Sequence, residues 1–113
     1  MDTVRGMLWI ALLLVGCAPT EKSFPEAFAG QYCSRWEECF RADYEGRFDD
    51  RGECVDDVAD SVDDVFGDCD YDQDEAVDCL QELATEDCDD VEDAYYHCLW
   101  DQTVYECDLS DYL

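Results

Sequence analysis

The chain has 113 residues, with 32 Asp and Glu against 6 Lys and Arg, for a formal net charge of −26 at pH 7. Past Arg51 there is no Lys or Arg, while Gly52 to Leu113 holds 23 carboxylates. A surface so strongly of one sign repels nucleic-acid phosphates and anionic headgroups, which excludes DNA and RNA as partners and makes any protein partner a cationic one; its plainest use is as a solvated coat.

Residues 1–16 read as an export signal, with Arg5 near the start and an apolar run from Met7 to Gly16. That run is ten residues. A membrane-spanning helix needs about 20, so the run suits a signal core instead. Leu14, Val15, Gly16 and Cys17 close the segment and resemble the lipobox of bacterial lipoproteins. The resemblance implies that the Cys17 thiol carries diacylglycerol, that the signal is cut before it, and that the new N-terminus is acylated. It also implies a place in the cell envelope. Ala18 stands where an Asp would retain an enteric lipoprotein at the inner membrane, which points to the outer membrane. Residues 17–23 are then a lipidated polar tether holding the domain slightly off the membrane, and 24–113 form one cysteine-rich helical domain.

Four helical patterns follow. Phe24, Phe28, Tyr32, Trp36 and Phe40 recur every four residues, an aromatic stripe expected to face the core. From about Glu53 to Phe66, Cys54, Val55, Val58, Ala59, Val62, Val65 and Phe66 alternate with aspartates at helical spacing. The third helix is expected over Gln73 to Ala84, with Asp72 as its N-cap and Ala76, Cys79, Leu80 and Leu83 inward. The fourth is expected from about Asp90 to Thr103, through Val91, Ala94, Tyr95, Cys98 and Leu99. Sustained strand alternation is absent, so the expected class is all-α, a small disulfide-stapled bundle of about four helices in two αα-hairpins.

Removing Cys17 from the nine cysteines leaves Cys33, Cys39, Cys54, Cys69, Cys79, Cys88, Cys98 and Cys107. In an oxidising compartment these eight read as four disulfides, which a domain this small needs, since it buries only about 60 to 65% of its unfolded surface. None forms C-x-x-C, so neither a thioredoxin-like centre nor a zinc ribbon is supported. Cys69, Cys88 and Cys107 are 19 apart, as are Cys79 and Cys98, so the last two helices look like copies of one unit. Mirror positions in a hairpin allow Cys79 with Cys98, Cys69 with Cys107 and Cys39 with Cys54 about a turn in "DYEGRFDDRG", leaving Cys33 for Cys88. The C-x9-C spacing of Cys69 with Cys79 and of Cys88 with Cys98 is similar to that of twin C-x9-C hairpin proteins. That likeness implies a different pairing, Cys69 to Cys98 and Cys79 to Cys88, and both schemes stay open.

Asp68, Asp70, Asp72 and Asp74 alternate like the first ligands of an EF-hand loop. An EF-hand also needs Gly at position 6 and Glu at 12; counted from Asp68 those are Gln73 and Cys79, and counted from Asp70 they are Glu75 and Gln81. The four aspartates are therefore candidates only for an irregular Ca2+ site. His97, the single histidine, stands beside aromatics with no catalytic motif around it. The lipobox, "YC" at Tyr32 and Cys33 and the "CDYD…AVDCL" run from Cys69 to Leu80 together resemble the small, acidic, cysteine-rich lipoproteins of myxobacteria-type genomes. This implies a location and a fold, and brings no known activity with it. The leading expectation is a lipid-anchored, non-enzymatic envelope protein acting in protein interaction or envelope structure. The alternative is a calcium- or other divalent-cation-binding envelope protein, with a secreted-type hydrolase behind both.

Overall fold

Helix α1 (Phe24–Cys39) begins where Pro25, with no amide hydrogen to leave unpaired, occupies the first turn. Its aromatic rings contact one another along the helix, with centroids 5.8 Å apart from Phe24 to Phe28, 5.9 Å from Phe28 to Tyr32, the one stacked pair, and 5.5 Å from Tyr32 to Trp36. Spacing of four overshoots one helical turn by about 40°, so the stripe rotates by about 160° between Phe24 and Phe40. Burial follows that rotation: Phe24 and Phe28 are fully buried, Tyr32 and Trp36 are half-buried, and Phe40 is 40% exposed. The computed structural model describes residues 18–108; the export signal and the lipobox through Cys17 lie outside the described residues.

Phe40 leaves the helical conformation, and a short helix α2 (Arg41–Arg47) occupies much of the stretch expected to be a turn. It forms because Tyr44 can be buried and Phe48 can pack edge-on against Trp36, with centroids 5.5 Å apart. The Tyr44 hydroxyl is buried and has no hydrogen-bond partner among the described residues. Tyr44→Phe removes that cost and keeps the ring, so thermal unfolding should show stability unchanged or raised by up to about 1 kcal/mol.

Helix α3 (Arg51–Phe66) is capped by Asp50, whose carboxylate accepts the Glu53 amide at 2.9 Å, and it buries Cys54, Val58, Val62 and Phe66 with its aspartates outward. Helix α4 (Gln73–Thr85) is capped as expected by Asp72, which accepts the Glu75 amide at 3.1 Å, and buries Ala76, Cys79 and Leu83. A 3-10 turn (Cys88–Asp90) leads into α5 (Val91–Trp100), which buries Val91, Ala94, Cys98 and Leu99. This helix stops short of the expected Thr103: Gln102 takes a positive φ of 61°, and Val104 and Tyr105 turn back into the core.

The helices run alternately up and down. Arg51 at the start of α3 donates to the Gly30 carbonyl at 2.8 Å, while Phe66 at its end meets Phe24 of α1 through the shared ring of Tyr105. α4 climbs again, from Gln73 beside Ala18 to Glu86, whose carbonyl accepts from Arg35. α5 then descends from Val91 to Trp100, which lies edge-on to Phe66. The fold is all-α, a disulfide-stapled bundle of two helical hairpins. Among the described residues the one β feature is a two-residue antiparallel ladder that sequence alternation did not signal, β1 (Asp70–Tyr71) on β2 (Tyr105–Glu106). Asp70 faces Glu106 there, a like-charge pair, and the flanking Cys69–Cys107 bond and the Asp72 amide on the Val104 carbonyl at 2.8 Å hold the ladder closed.

The disulfides are Cys33–Cys54, Cys39–Cys88, Cys69–Cys107 and Cys79–Cys98. The hairpin rule holds for the last two, and the pairing implied by the C-x9-C likeness does not occur. For the first pair of helices the rule exchanges partners: Cys54 joins Cys33, not Cys39, and Cys88 joins Cys39. The cause is α2. By lengthening the connection it brings the start of α3 opposite Gly30 and Cys33. Residues six apart on a helix point about 120° away from each other, so with Cys33 turned to α3, Cys39 faces the turn before α5.

The polar segment expected to stand off as a tether is bonded to the domain. Pro19 is buried and its carbonyl accepts the Tyr71 hydroxyl at 2.6 Å. The Gln73 side-chain amide reaches the carbonyls of Ala18 at 3.3 Å and Pro19 at 3.2 Å. Thr20 and Ser23 exchange hydrogen bonds in a turn that delivers the chain to Phe24.

Candidate functional site: an aromatic cleft at the far end of the bundle

The rotation of the α1 stripe decides where the cleft forms. At the end of the bundle remote from Ala18, the rings that have turned away from the core are only partly covered by α2 and the first turn of α5. They leave a cleft of about 210 Å³ lined by Tyr32, Trp36, Phe40, Asp43, Val91 and Glu92. Its walls are aromatic and two of its lining residues are carboxylates. Tyr95 closes against Tyr32 with centroids 4.9 Å apart, and Arg47 sets its guanidinium carbon 5.3 Å from the centre of the Trp36 ring.

Chemically the cleft combines an electron-rich indole face with carboxylates, the two features that attract a guanidinium or ammonium group. Arg47 already demonstrates that the Trp36 face holds a cation. Burial pushes the Tyr32 hydroxyl up to about 12; its neighbours Tyr95, Glu92 and Tyr96 push the same way and Arg47 opposes them. The Tyr95 hydroxyl is also raised, by burial and then by Tyr96. Both hydroxyls therefore hold their protons to higher pH than an exposed tyrosine does, and the carboxyl groups lining the cleft are those of Asp43 and Glu92.

Tyr71, raised to about 12 by burial and then by Asp72 and Glu21, and Tyr105, also raised chiefly by burial, extend the same property to the other end of the core. A tyrosine with a folded pKa above its unfolded value near 10 contributes stability in full below pH 10 and loses it as the pH climbs towards 12. Alkaline titration should therefore show tyrosinate absorbance and loss of helix rising together over that window. Ionisation of all the tyrosines with the helix signal intact would contradict it.

The other residues singled out in the sequence are dispersed or differently used. Asp72 spends its carboxylate on the α4 cap, Asp70 lies on β1 across from Glu106, and Asp68 and Asp74 are exposed on either side. Among the described residues no group of three His, Cys, Asp or Glu side chains is placed to hold a metal ion, so the four aspartates do not assemble into the Ca2+ site their alternation suggested. His97 is exposed on α5, with Nδ1 3.3 Å from Glu82 and Nε2 3.0 Å from Asp101. The nearby Thr103 hydroxyl donates to the His97 carbonyl, not to its ring. Among the described residues no helix is long and apolar enough to cross a membrane.

The sequence placed Tyr32, Trp36 and Phe40 in the core and did not single out Asp43, Arg47 or Glu92. The drift of a strict four-residue spacing was the available signal for the first three. The charged members come from α2 and α5, and only the fold brings them to the same place. No protein-family model, curated protein or solved structure matches this chain.

Proposed function

We propose that the protein is a lipid-anchored, non-enzymatic envelope module that binds a cationic segment of a protein partner in the cleft at Trp36. The anchor is Cys17, and Ala18 after it favours the outer membrane. The observation that carries the reading is the Trp36 ring lining a cleft with Asp43 and Glu92 while the chain's own Arg47 guanidinium is set over that ring: an indole that already takes one cation stands beside two carboxylates that would draw an arginine or lysine of a partner. The acidic coat supports it by drawing cationic chains to the molecule and speeding their encounter.

The test is calorimetric titration of the oxidised protein with a short arginine-rich peptide and with the same peptide carrying neutral citrulline in place of arginine. Saturable binding of the first and none of the second is expected. Equal binding of both, or none of either, would refute the proposal.

A further inference from the structure

The end of the bundle opposite the cleft carries its own message. There the chain enters through Ala18 and Pro19, whose carbonyls are held by Tyr71 and Gln73. Cys17 precedes this bonded segment directly, so one peptide unit, about 3.8 Å between α-carbons, separates it from a fixed residue. At the same end Trp100 is 48% exposed, with one edge packed against Phe66, and Val65 is exposed beside Phe66 in the sequence. A half-exposed indole with an N–H donor is the side chain that best suits a membrane–water interface.

We propose that this end, with Trp100 and Val65, lies against the surface of the membrane that holds the anchor, and that the bundle stands on it with its cleft facing away. The inference rests on the proposed lipidation of Cys17. Lipid at that position cannot stand clear of the domain, because the segment that would have served as a tether is part of the packed structure. Trp36 lies twelve residues along α1 from Phe24, so the indole of the cleft sits about 18 Å higher than the start of the helix. Glu21, Asp63, Asp70, Asp72 and Glu106 occupy the lower end with Lys22, and their net negative charge selects a zwitterionic phospholipid surface over an anionic one.

The two tryptophans of the chain after the signal, Trp36 and Trp100, are reporters for the two ends. The full-length chain is expressed in a bacterium that processes lipoproteins, purified from membranes, and its intact mass is measured. Trp36→Phe and Trp100→Phe proteins are then reconstituted into phosphatidylcholine vesicles brominated near the headgroup end of the acyl chains. If Trp36→Phe does not give the parent's circular dichroism, Trp36→Tyr replaces it.

In the variant that retains Trp100, emission should fall about twofold or more relative to unbrominated vesicles, while the variant that retains Trp36 should be unquenched. Adding anionic lipid at low salt should lessen the quenching of Trp100. A mass lacking the acyl groups would overturn the anchor and this inference together. A lipidated protein in which Trp100 is quenched no more than Trp36 would overturn the apposition and leave the anchor standing.

Discussion

Reduction of the four disulfides is expected to unfold the domain at neutral pH and low salt, abolishing the cooperative thermal transition seen in the oxidised protein. The bonds close spans of 21, 49, 38 and 19 residues. In the chain-entropy account each such closure stabilises by about 3 to 4 kcal/mol. A domain of this size has a total stability of about 5 to 15 kcal/mol, so losing all four exceeds what the core can offset. The charge of −26 acts in the same direction, because the expanded chain separates its carboxylates and the folded one crowds them. Cys39→Ser with Cys88→Ser, which opens the longest span, should cost about 4 kcal/mol, and Cys79→Ser with Cys98→Ser about 3 kcal/mol. Added salt should restore part of the helix signal of the reduced protein by screening its self-repulsion. A reduced protein that melts like the oxidised one would contradict the account.

Trp36→Leu should weaken binding of the arginine-rich peptide by about tenfold, since a partly desolvated cation–π contact contributes about 1 to 2 kcal/mol and 1.4 kcal/mol is a factor of ten. Leucine keeps the apolar packing against Phe48 and removes the π face, so the loss would report recognition and not unfolding. Glu92→Gln and Asp43→Asn should each reduce affinity and flatten its salt dependence, because both carboxylates line the cleft. His97→Ala, on α5 between Glu82 and Asp101 and outside the cleft lining, should bind as the parent does. Titration of these variants at two ionic strengths checks all four expectations. Trp36→Leu binding with unchanged affinity would remove the cleft from the account.

Local rules reached far into this fold. Apolar spacing located α3, α4 and α5, and Asp72 was identifiable as a cap because its side chain needs only the amide three residues on. The bonds Cys69–Cys107 and Cys79–Cys98 were legible because they join segments of one hairpin. Cys33–Cys54 and Cys39–Cys88 were not, since their partners depend on the space that α2 occupies, and α2 owes its existence to the burial of Tyr44, a tertiary event. The docking of Ala18 and Pro19 on Tyr71 and Gln73 joins residues more than 50 positions apart and left no local trace. For the cleft, the aromatic stripe was visible, and its four-residue drift was the overlooked sign that Phe40 leaves the core. The approach of Glu92 to Tyr32 was visible nowhere in the sequence.

The central claim is that cations are received at Trp36 and not over the acidic surface at large. Amide and indole NMR shifts of the 15N-labelled oxidised protein, followed while the arginine-rich peptide is added, test it most directly. The account predicts saturating shifts centred on the Trp36 indole N–H and the backbone of Phe40, Asp43 and Glu92, with the Trp100 indole unmoved. Small, unsaturating shifts spread along the aspartates of α3 would contradict it and identify the carboxylates as a solvated coat.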